Sequence, residues 1–234
     1  MAEAVFLPVP VLDAWDETPA LRGVQLDLGP ELARSHTVPG QVIKLRGSAG
    51  EGHFALASAP WPDGKVELLI KRGTPLGDGL IALVQPSVMV EATAPFGTGF
   101  PIGSALDRDV LLFAAGSGIS PIRALTQHIL AQRARFGRAA LFYGQRGHED
   151  FAYTDEHAAW DHGGVKVVLC SSQAGPHWQG ERGYVQDVAQ SLRFLDFDTA
   201  RAVAFLCGMK TMVSGVRAVL ERAGIAPERT FLNF

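Results

Sequence analysis

The chain has 234 residues, 47% of them hydrophobic and 19% charged, with a formal net charge of −3 at neutral pH. This is ample material for a core, it excludes a chain too polar to fold, and it offers no global positive charge to nucleic acid or an anionic membrane. The charge is uneven: residues 1–103 carry 7 Lys/Arg against 11 Asp/Glu and residues 104–234 carry 14 against 13, a mild bias toward anions in the second half.

The opening stretch "MAEAVFLPVPVLDAWD" has no basic region before its apolar residues and no small-residue cleavage site after a long apolar core, so it does not read as a signal peptide. No apolar run approaches the ~20 residues of a membrane span. The two cysteines, Cys170 and Cys207, exclude a disulfide framework and a four-thiolate metal site. The expectation is a cytoplasmic chain in a reducing compartment.

From the N-terminus, candidate strands fall at Ala4–Val11, Gly23–Leu28, Gln41–Leu45, His53–Ala57, Val66–Lys71 and Val88–Thr93. Clusters of Pro, Gly, Asp and Ser separate them, and strands at this spacing predict a small barrel or sandwich. A helical turn or two interrupts the series at Gly77–Val84, "GDGLIALV". The aperiodic "APFGTGFPIGSALDRD" that follows places a boundary near Ser104, giving domains 1–103 and 104–234. Beyond it, the apolar runs "DVLLFAAG", "AALFYGQ", "VKVVLC" and "AVAFLCG" each precede a helix-like segment, and "RTFLNF" closes the series. Strand–helix alternation with nearly continuous apolar strands predicts a parallel sheet covered on both faces.

The first of these runs leads into "AAGSGISPIRAL" (114–125). Gly116 and Gly118 let a backbone approach a pyrophosphate closely. Pro121 suits the first helical position, and the free N–H groups of the helix start favour an anion. The third glycine of the usual dinucleotide fingerprint is Pro121 here, so the full GxGxxG is absent, and a plain strand–helix turn remains an alternative on this motif alone. Two other readings fail on the same stretch. A nucleophile elbow needs glycines two residues either side of the serine, and Ser117 has Ala115 and Ile119 in those places. A P-loop needs Gly-Lys-Ser/Thr, and none follows. No pair of histidines has metal-ligand spacing: His157 and His162 are five apart, and His177 stands in a loop. If the strands take the common 3-2-1-4-5 order, the fourth lies beside the first. Cys207-Gly208 then comes next to Gly116–Gly118 on the ligand side, while Cys170 ends the third strand, too far away to form a disulfide with it.

The β-rich first half, followed in order by "AAGSGISPIRAL", "LFYGQR", W-x-G-x-x-G-Y-V (Trp178 to Val185), L-C-G-x-x-x-M (to Met212) and a terminal aromatic, resembles the ferredoxin–NADP reductase-like family over nearly the whole chain. That resemblance implies a Greek-key barrel binding a flavin, then a five-stranded parallel doubly wound domain binding NAD(P). It implies hydride transfer between nicotinamide and flavin, with electrons passed onward singly or in pairs. In "EGHFALASAP" the resemblance sets Gly52, Phe54, Ala55 and Ser58 in the places of the family's Arg, Tyr and two Ser around the flavin. Phe54 keeps a ring for stacking. The backbone of Ala55, Leu56, Ala57 and Ser58 is left to meet the ring edge, with Ile70 and Lys71 nearby. The Arg that would pair with a flavin phosphate is missing at Gly52, so Gly77-Asp78-Gly79 is left to receive the pyrophosphate of FAD through backbone N–H groups, with help from Lys71.

On the nucleotide side the resemblance gives Gly116, Ser117, Gly118 and Pro121 to the pyrophosphate, and Cys207 and Gly208 to the nicotinamide. Ser172, Gln173 and Arg182 stand where relatives read the 2′-phosphate, and Tyr184 is placed to stack on adenine. The one retained cation, Arg182, favours NADP over NAD. Phe234, the last residue, is placed to cover the flavin face where nicotinamide must bind. The function expected is an NAD(P)H-dependent flavoprotein reductase with a separate electron acceptor, a small redox protein being one candidate. The alternatives are an electron-transfer subunit without independent turnover and a nucleotide-binding scaffold that has lost its flavin. An iron–sulfur version is excluded by the count of two cysteines.

Overall fold

A computed structural model describes residues 4–191 and 197–233. The N-terminal sheet is antiparallel and consists of β1 (Leu7–Thr18), β2 (Leu21–Asp27), β3 (Val42–Gly47), β4 (Gly50–Ala55), β5 (Lys65–Lys71) and β6 (Met89–Ala92). Their order is β4-β3-β6-β1-β2-β5. A bridge between Leu56 and Leu68, with the Ala57 N–H on the Glu67 carbonyl at 2.7 Å, joins the two edge strands and curls the sheet into the expected barrel. Its interior is aliphatic, with Val24, Leu26, Ile43, Leu45 and Leu68 all fully buried. A short helix α1 (Gly29–Ala33) follows β2 and was not expected; α2 (Pro75–Leu83) buries Leu80 against the barrel core.

β1 runs seven residues past the expected Val11. The polar stretch Asp13–Glu17 is carried into pairing with β2 by register shifts at Val11/Asp13 and Asp16/Thr18. Such bulges bend a strand and let it serve two neighbours. Pro8 and Pro10 lie in the part of β1 that pairs with β6 alone, where a missing N–H costs least.

The C-terminal sheet is parallel: β7 (Val110–Ala115), β8 (Ala139–Gln145), β9 (Val165–Ser171), β10 (Glu181–Arg182), β11 (Val203–Cys207) and β12 (Thr230–Leu232). The order β10-β9-β8-β7-β11-β12 contains the expected 3-2-1-4-5 arrangement plus the two-residue edge β10. Helices α3 (Ile119–Ala131), α4 (Thr154–His162), α5 (Val185–Ser191) and α6 (Lys210–Arg222) accompany it. Every residue of β7 is buried. Val110, Leu112 and Ala114 enter one core, and Leu111, Phe113 and Ala115 the other, as the two-residue period of a strand covered on both faces requires.

The first of these cores does not stop at the parallel sheet. Leu21, Ala57, Leu69 and Phe100 join Ile119, Ile122 and Phe205 in it, with Phe100 edge-on to Phe205 at 5.4 Å. Across this seam α3 makes four polar contacts with the barrel. Ser120 Oγ donates to the Ala55 carbonyl (2.8 Å), Gln127 Oε1 accepts from the Ala59 N–H (2.9 Å), and Arg123 Nη1 donates to the Ala57 carbonyl (3.0 Å) and to Glu67 (2.7 Å). The buried Arg123 also holds Glu156 of α4 through Nε (2.9 Å) and Nη2 (2.5 Å), and its guanidinium lies over the Tyr153 ring.

His36, in the connection between α1 and β3, is buried, and its Nε2 makes no hydrogen bond. Burial pushes its imidazole down to about 4, because the charged form loses water without gaining a partner. The folded-state value lies below the unfolded value of about 6.5, so this contribution to stability is complete above that pH and is lost as the pH falls toward 4. His36→Leu is expected to flatten, without abolishing, the fall in unfolding free energy over that window, since His128 and His157 are also lowered by burial. Urea titrations at stepped pH check this; an unchanged slope would assign the titration to other groups.

Candidate functional site

β7 ends at the point where strand order reverses, with β8 on one side and β11 on the other. In open α/β sheets this is where a crevice forms beyond the strand ends. The chain leaves β7 through a tight turn, Gly116–Gly118, into α3. Gly116 has φ +59° and nothing within 4 Å of where a Cβ would project, so its backbone borders open space. Gly118 faces the opposite constraint: a Cβ there would lie 2.3 Å from the Cys207 carbonyl oxygen. Gly208 is held as closely, with a Cβ meeting Met212 Cε at 2.6 Å and Ala115 Cβ at 3.1 Å. Two glycines thus allow the ends of β7 and β11 to close on each other, while the third leaves a gap above them. Pro121 is the third residue of α3 and not its first, because the helix starts at Ile119; it still lies in the first turn, where an N–H has no intrahelical partner to lose.

Cys207 pairs in register with Ala114 at the floor of this crevice. Burial pushes its thiol up to about 12, as it does that of Cys170, so both stay protonated at neutral pH. Cys170 pairs with Gly144 on the far side of the sheet.

The barrel presents the end of β4 to this turn. Ala55 pairs with Val42, and its carbonyl takes the Ser120 hydroxyl. Phe54 pairs with Ile43 and packs half-buried against the barrel core. The Leu56 N–H is already on the Gln41 carbonyl (3.0 Å) and that of Ala57 on Glu67, while the buried Ser58 hydroxyl accepts the Glu67 N–H (3.0 Å). Ile70 is fully buried in the barrel and Lys71 is exposed at the end of β5. Thr74 caps α2, its Oγ accepting the Gly77 N–H (3.0 Å) and its carbonyl the Asp78 N–H (2.8 Å). The Asp78 carboxylate turns back onto the Gly73 N–H (3.0 Å). Gly77-Asp78-Gly79 therefore lies inside the helix and does not open it.

At the other end of the crevice, Ser172 and Gln173 are tied by their N–H groups to the Gln145 and Arg146 carbonyls (3.0 and 2.9 Å). Arg182 donates Nη1 to the Ala174 carbonyl and Nη2 to that of Gly175, both at 3.0 Å, and so braces the 172–180 loop. Tyr184 is exposed beside it. Trp178 stacks on Phe151 with centroids 5.2 Å apart and gives its indole N–H to the Glu181 carbonyl. Phe234 lies outside the described residues. Sequence reading did not assign roles to Ser120, Arg123 and Gln127; the available signal was a buried charge inside the apolar face of α3.

A family model described as the oxidoreductase NAD-binding domain matches residues 112–218. Ferredoxin–NADP reductase B of Sorangium cellulosum is 31% identical over 186 residues, which cover 75% of this chain and 74% of that one. The chain belongs to the ferredoxin–NADP reductase-like family of FAD- and NAD(P)-binding oxidoreductases. The gamma subunit of sulfhydrogenase 1 from Pyrococcus furiosus is 28% identical over 210 residues, 87% of this chain and 70% of that one. A ferredoxin–NADP reductase structure from Neisseria gonorrhoeae with bound FAD and NADP shares the fold, with a TM-score of 0.81 at 19% identity over 99% of this chain and all of that one. Members of this family are NAD(P)H-dependent flavoprotein reductases that move electrons through FAD. Among the described residues no helix is long and apolar enough to cross a membrane.

Because the atom nearest a Gly118 Cβ is backbone, the two strand ends must separate to admit one. Gly118→Ala is expected to weaken oxidised-coenzyme binding by about tenfold or more while FAD affinity stays within about threefold. Calorimetric titration with each ligand checks this, and equal losses for both ligands would point to general unfolding.

Proposed function

We propose that the β7–α3 turn and the end of β11 seat the nicotinamide nucleotide, that the end of β4 seats the flavin ring, and that the chain reduces a separate electron acceptor. The observation carrying this reading is the Ser120–Ala55 hydrogen bond. It fixes the open glycine turn against the strand end that the family resemblance gives to the flavin. We also read the boundary between the two units at Ser104, between β6 and β7.

In this reading Gly116, Ser117 and Gly118 present backbone to a pyrophosphate, and the start of α3 favours its charge. FAD, when bound, supplies a centre that takes two electrons from NAD(P)H and gives them up singly or in pairs. What the chain adds is alignment and exclusion of water. A protonated, small Cys207 leaves room for the nicotinamide, and Gly208 keeps the backbone low beside it. Ser120, Arg123 and Gln127 prevent the two halves from sliding, and transfer between two bound groups depends on their being held in attack geometry. With the ring-edge N–H groups of Leu56 and Ala57 already engaged, the Ser58 backbone and the Ala55 edge remain to meet the flavin. A small redox protein suits the acceptor, because the similar Sorangium chain is named a ferredoxin–NADP reductase.

Cys207→Ala is expected to keep the flavin yet slow its reduction by NAD(P)H by about tenfold, from misplacement alone, whereas Cys170→Ala leaves the rate unchanged. Anaerobic stopped-flow absorbance separates the two, and equal effects would remove Cys207 from the site. For coenzyme choice, the guanidinium of Arg182 is turned to the Ala174 and Gly175 carbonyls, so the residue is read as a brace for the loop beneath either coenzyme. Arg182→Ala is expected to raise KM for NADH and NADPH by the same factor; a rise for NADPH alone would make it a 2′-phosphate reader. Oxidation of NAD(P)H with a dye acceptor in the absence of other proteins tests the reductase reading as a whole.

A further inference from the structure

We infer that the chain recognises its flavin by the isoalloxazine ring alone and does not read the phosphates, so that riboflavin, FMN and FAD bind alike; this rests on the placement of the flavin along β4, β5 and α2 proposed above. A flavin phosphate lying there needs a cation or a set of free N–H groups, and the chain's own side chains and backbone already occupy both positions but for one N–H.

The first position is the corner between β3 and β4. Gly52 opposes Leu45 and would carry the cation of the family pattern, but a Cβ there would meet Leu76 Cδ2 at 2.5 Å. Leu76 also lies 3.8 Å, and Leu80 3.2 Å, from where a Gly47 Cβ would stand. The first turn of α2 has therefore laid leucine across the two glycines, and the corner is apolar. The cations around it are engaged: Lys44 with Glu51 at 2.5 Å, Arg46 with Glu51 and Glu91, and Arg72 with Asp16. Lys71 is exposed, and a flexible solvated ammonium adds little to phosphate affinity compared with a fixed guanidinium fork.

The second position is the start of α2. Pro75 brings no N–H, Gly77 gives its own to Thr74 Oγ, Asp78 closes the first helical bond on the Thr74 carbonyl, and Gly73 gives its own to the Asp78 carboxylate, which leaves a single N–H, that of Leu76, in this turn. Asp78 thus puts a negative charge where a phosphate would otherwise complement the helix dipole. A phosphate arriving there would have to displace two caps and face a carboxylate.

The test is fluorescence titration of flavin-free protein with riboflavin, FMN and FAD in turn. One charge-assisted phosphate contact is worth about 10–100-fold in affinity, so ring-only recognition predicts three dissociation constants within about threefold of each other. It also predicts that Lys71→Met leaves all three unchanged. FMN or FAD binding about tenfold or more tighter than riboflavin would overturn the inference and leave the flavoprotein-reductase reading standing. Failure of all three to bind would overturn both. The double variant Gly52→Arg/Leu76→Ala opens the corner and fills it with a guanidinium. It is expected to tighten FMN and FAD by about tenfold and leave riboflavin as it was; equal affinities in a folded double variant would contradict the assignment of this corner to the phosphate.

Discussion

Arg123 is the residue through which the two halves of the molecule hold each other. Its side chain is 7% exposed and bonded at once to Glu67 of the barrel, to Glu156 of α4 and to the Ala57 carbonyl. A guanidinium buried this deeply loses most of its hydration, and only close opposing charge and full use of its donors offset that cost. The position is therefore demanding: the cation is tolerable only if the barrel and the parallel sheet are docked in one orientation. The apolar seam beneath supplies most of the attraction, but oil-like contact alone leaves room to slide. The three polar residues of α3 remove that freedom.

Function follows from the orientation. With α3 pinned, its N-terminal glycine turn faces the end of β4, and the Ser120 hydroxyl on the Ala55 carbonyl joins the two. Gly118 and Gly208 let β11 close beside β7, so Cys207 stands at the floor of the same crevice. The chemistry of the family needs a nicotinamide and a flavin face to face. In the proposed reading, the end of β4 and the β7–α3 turn are the two walls between which they meet. The barrel contributes a wall whose polar capacity is mostly satisfied internally, at Leu56, Ala57 and the first turn of α2.

Much of this was legible in the sequence, and the parts that were not share a cause. Continuous apolar strands such as "VLLFAA" announce a parallel sheet by composition, and the alternation of strand and helix fixes which ligand edge they share. The strand order followed, apart from the two-residue β10, which is too short to carry any pattern. α2 was placed two residues late because the glycines at 77 and 79 drew the start inward. Thr74-Pro75, an N-cap followed by proline, was the better signal. The extension of β1 to Thr18 was hidden because its pairing depends on two bulges that alternation cannot show. Arg123 could be put on a helix but not given a role. Its partners lie 56 residues earlier and 33 residues later, and nothing local in the sequence marks either glutamate as its partner.

The rate of flavin reduction by NAD(P)H in Arg123→Gln, measured together with the separate affinities for flavin and oxidised coenzyme, tests the role of the seam most directly. If Arg123 aligns the two halves, each ligand binds within about threefold of its normal affinity while the reduction rate falls by about 100-fold, the cost of a small misalignment between reacting groups. A reduction rate within about threefold of the unsubstituted protein, in a variant that is folded and binds both ligands, would show that the orientation is set elsewhere.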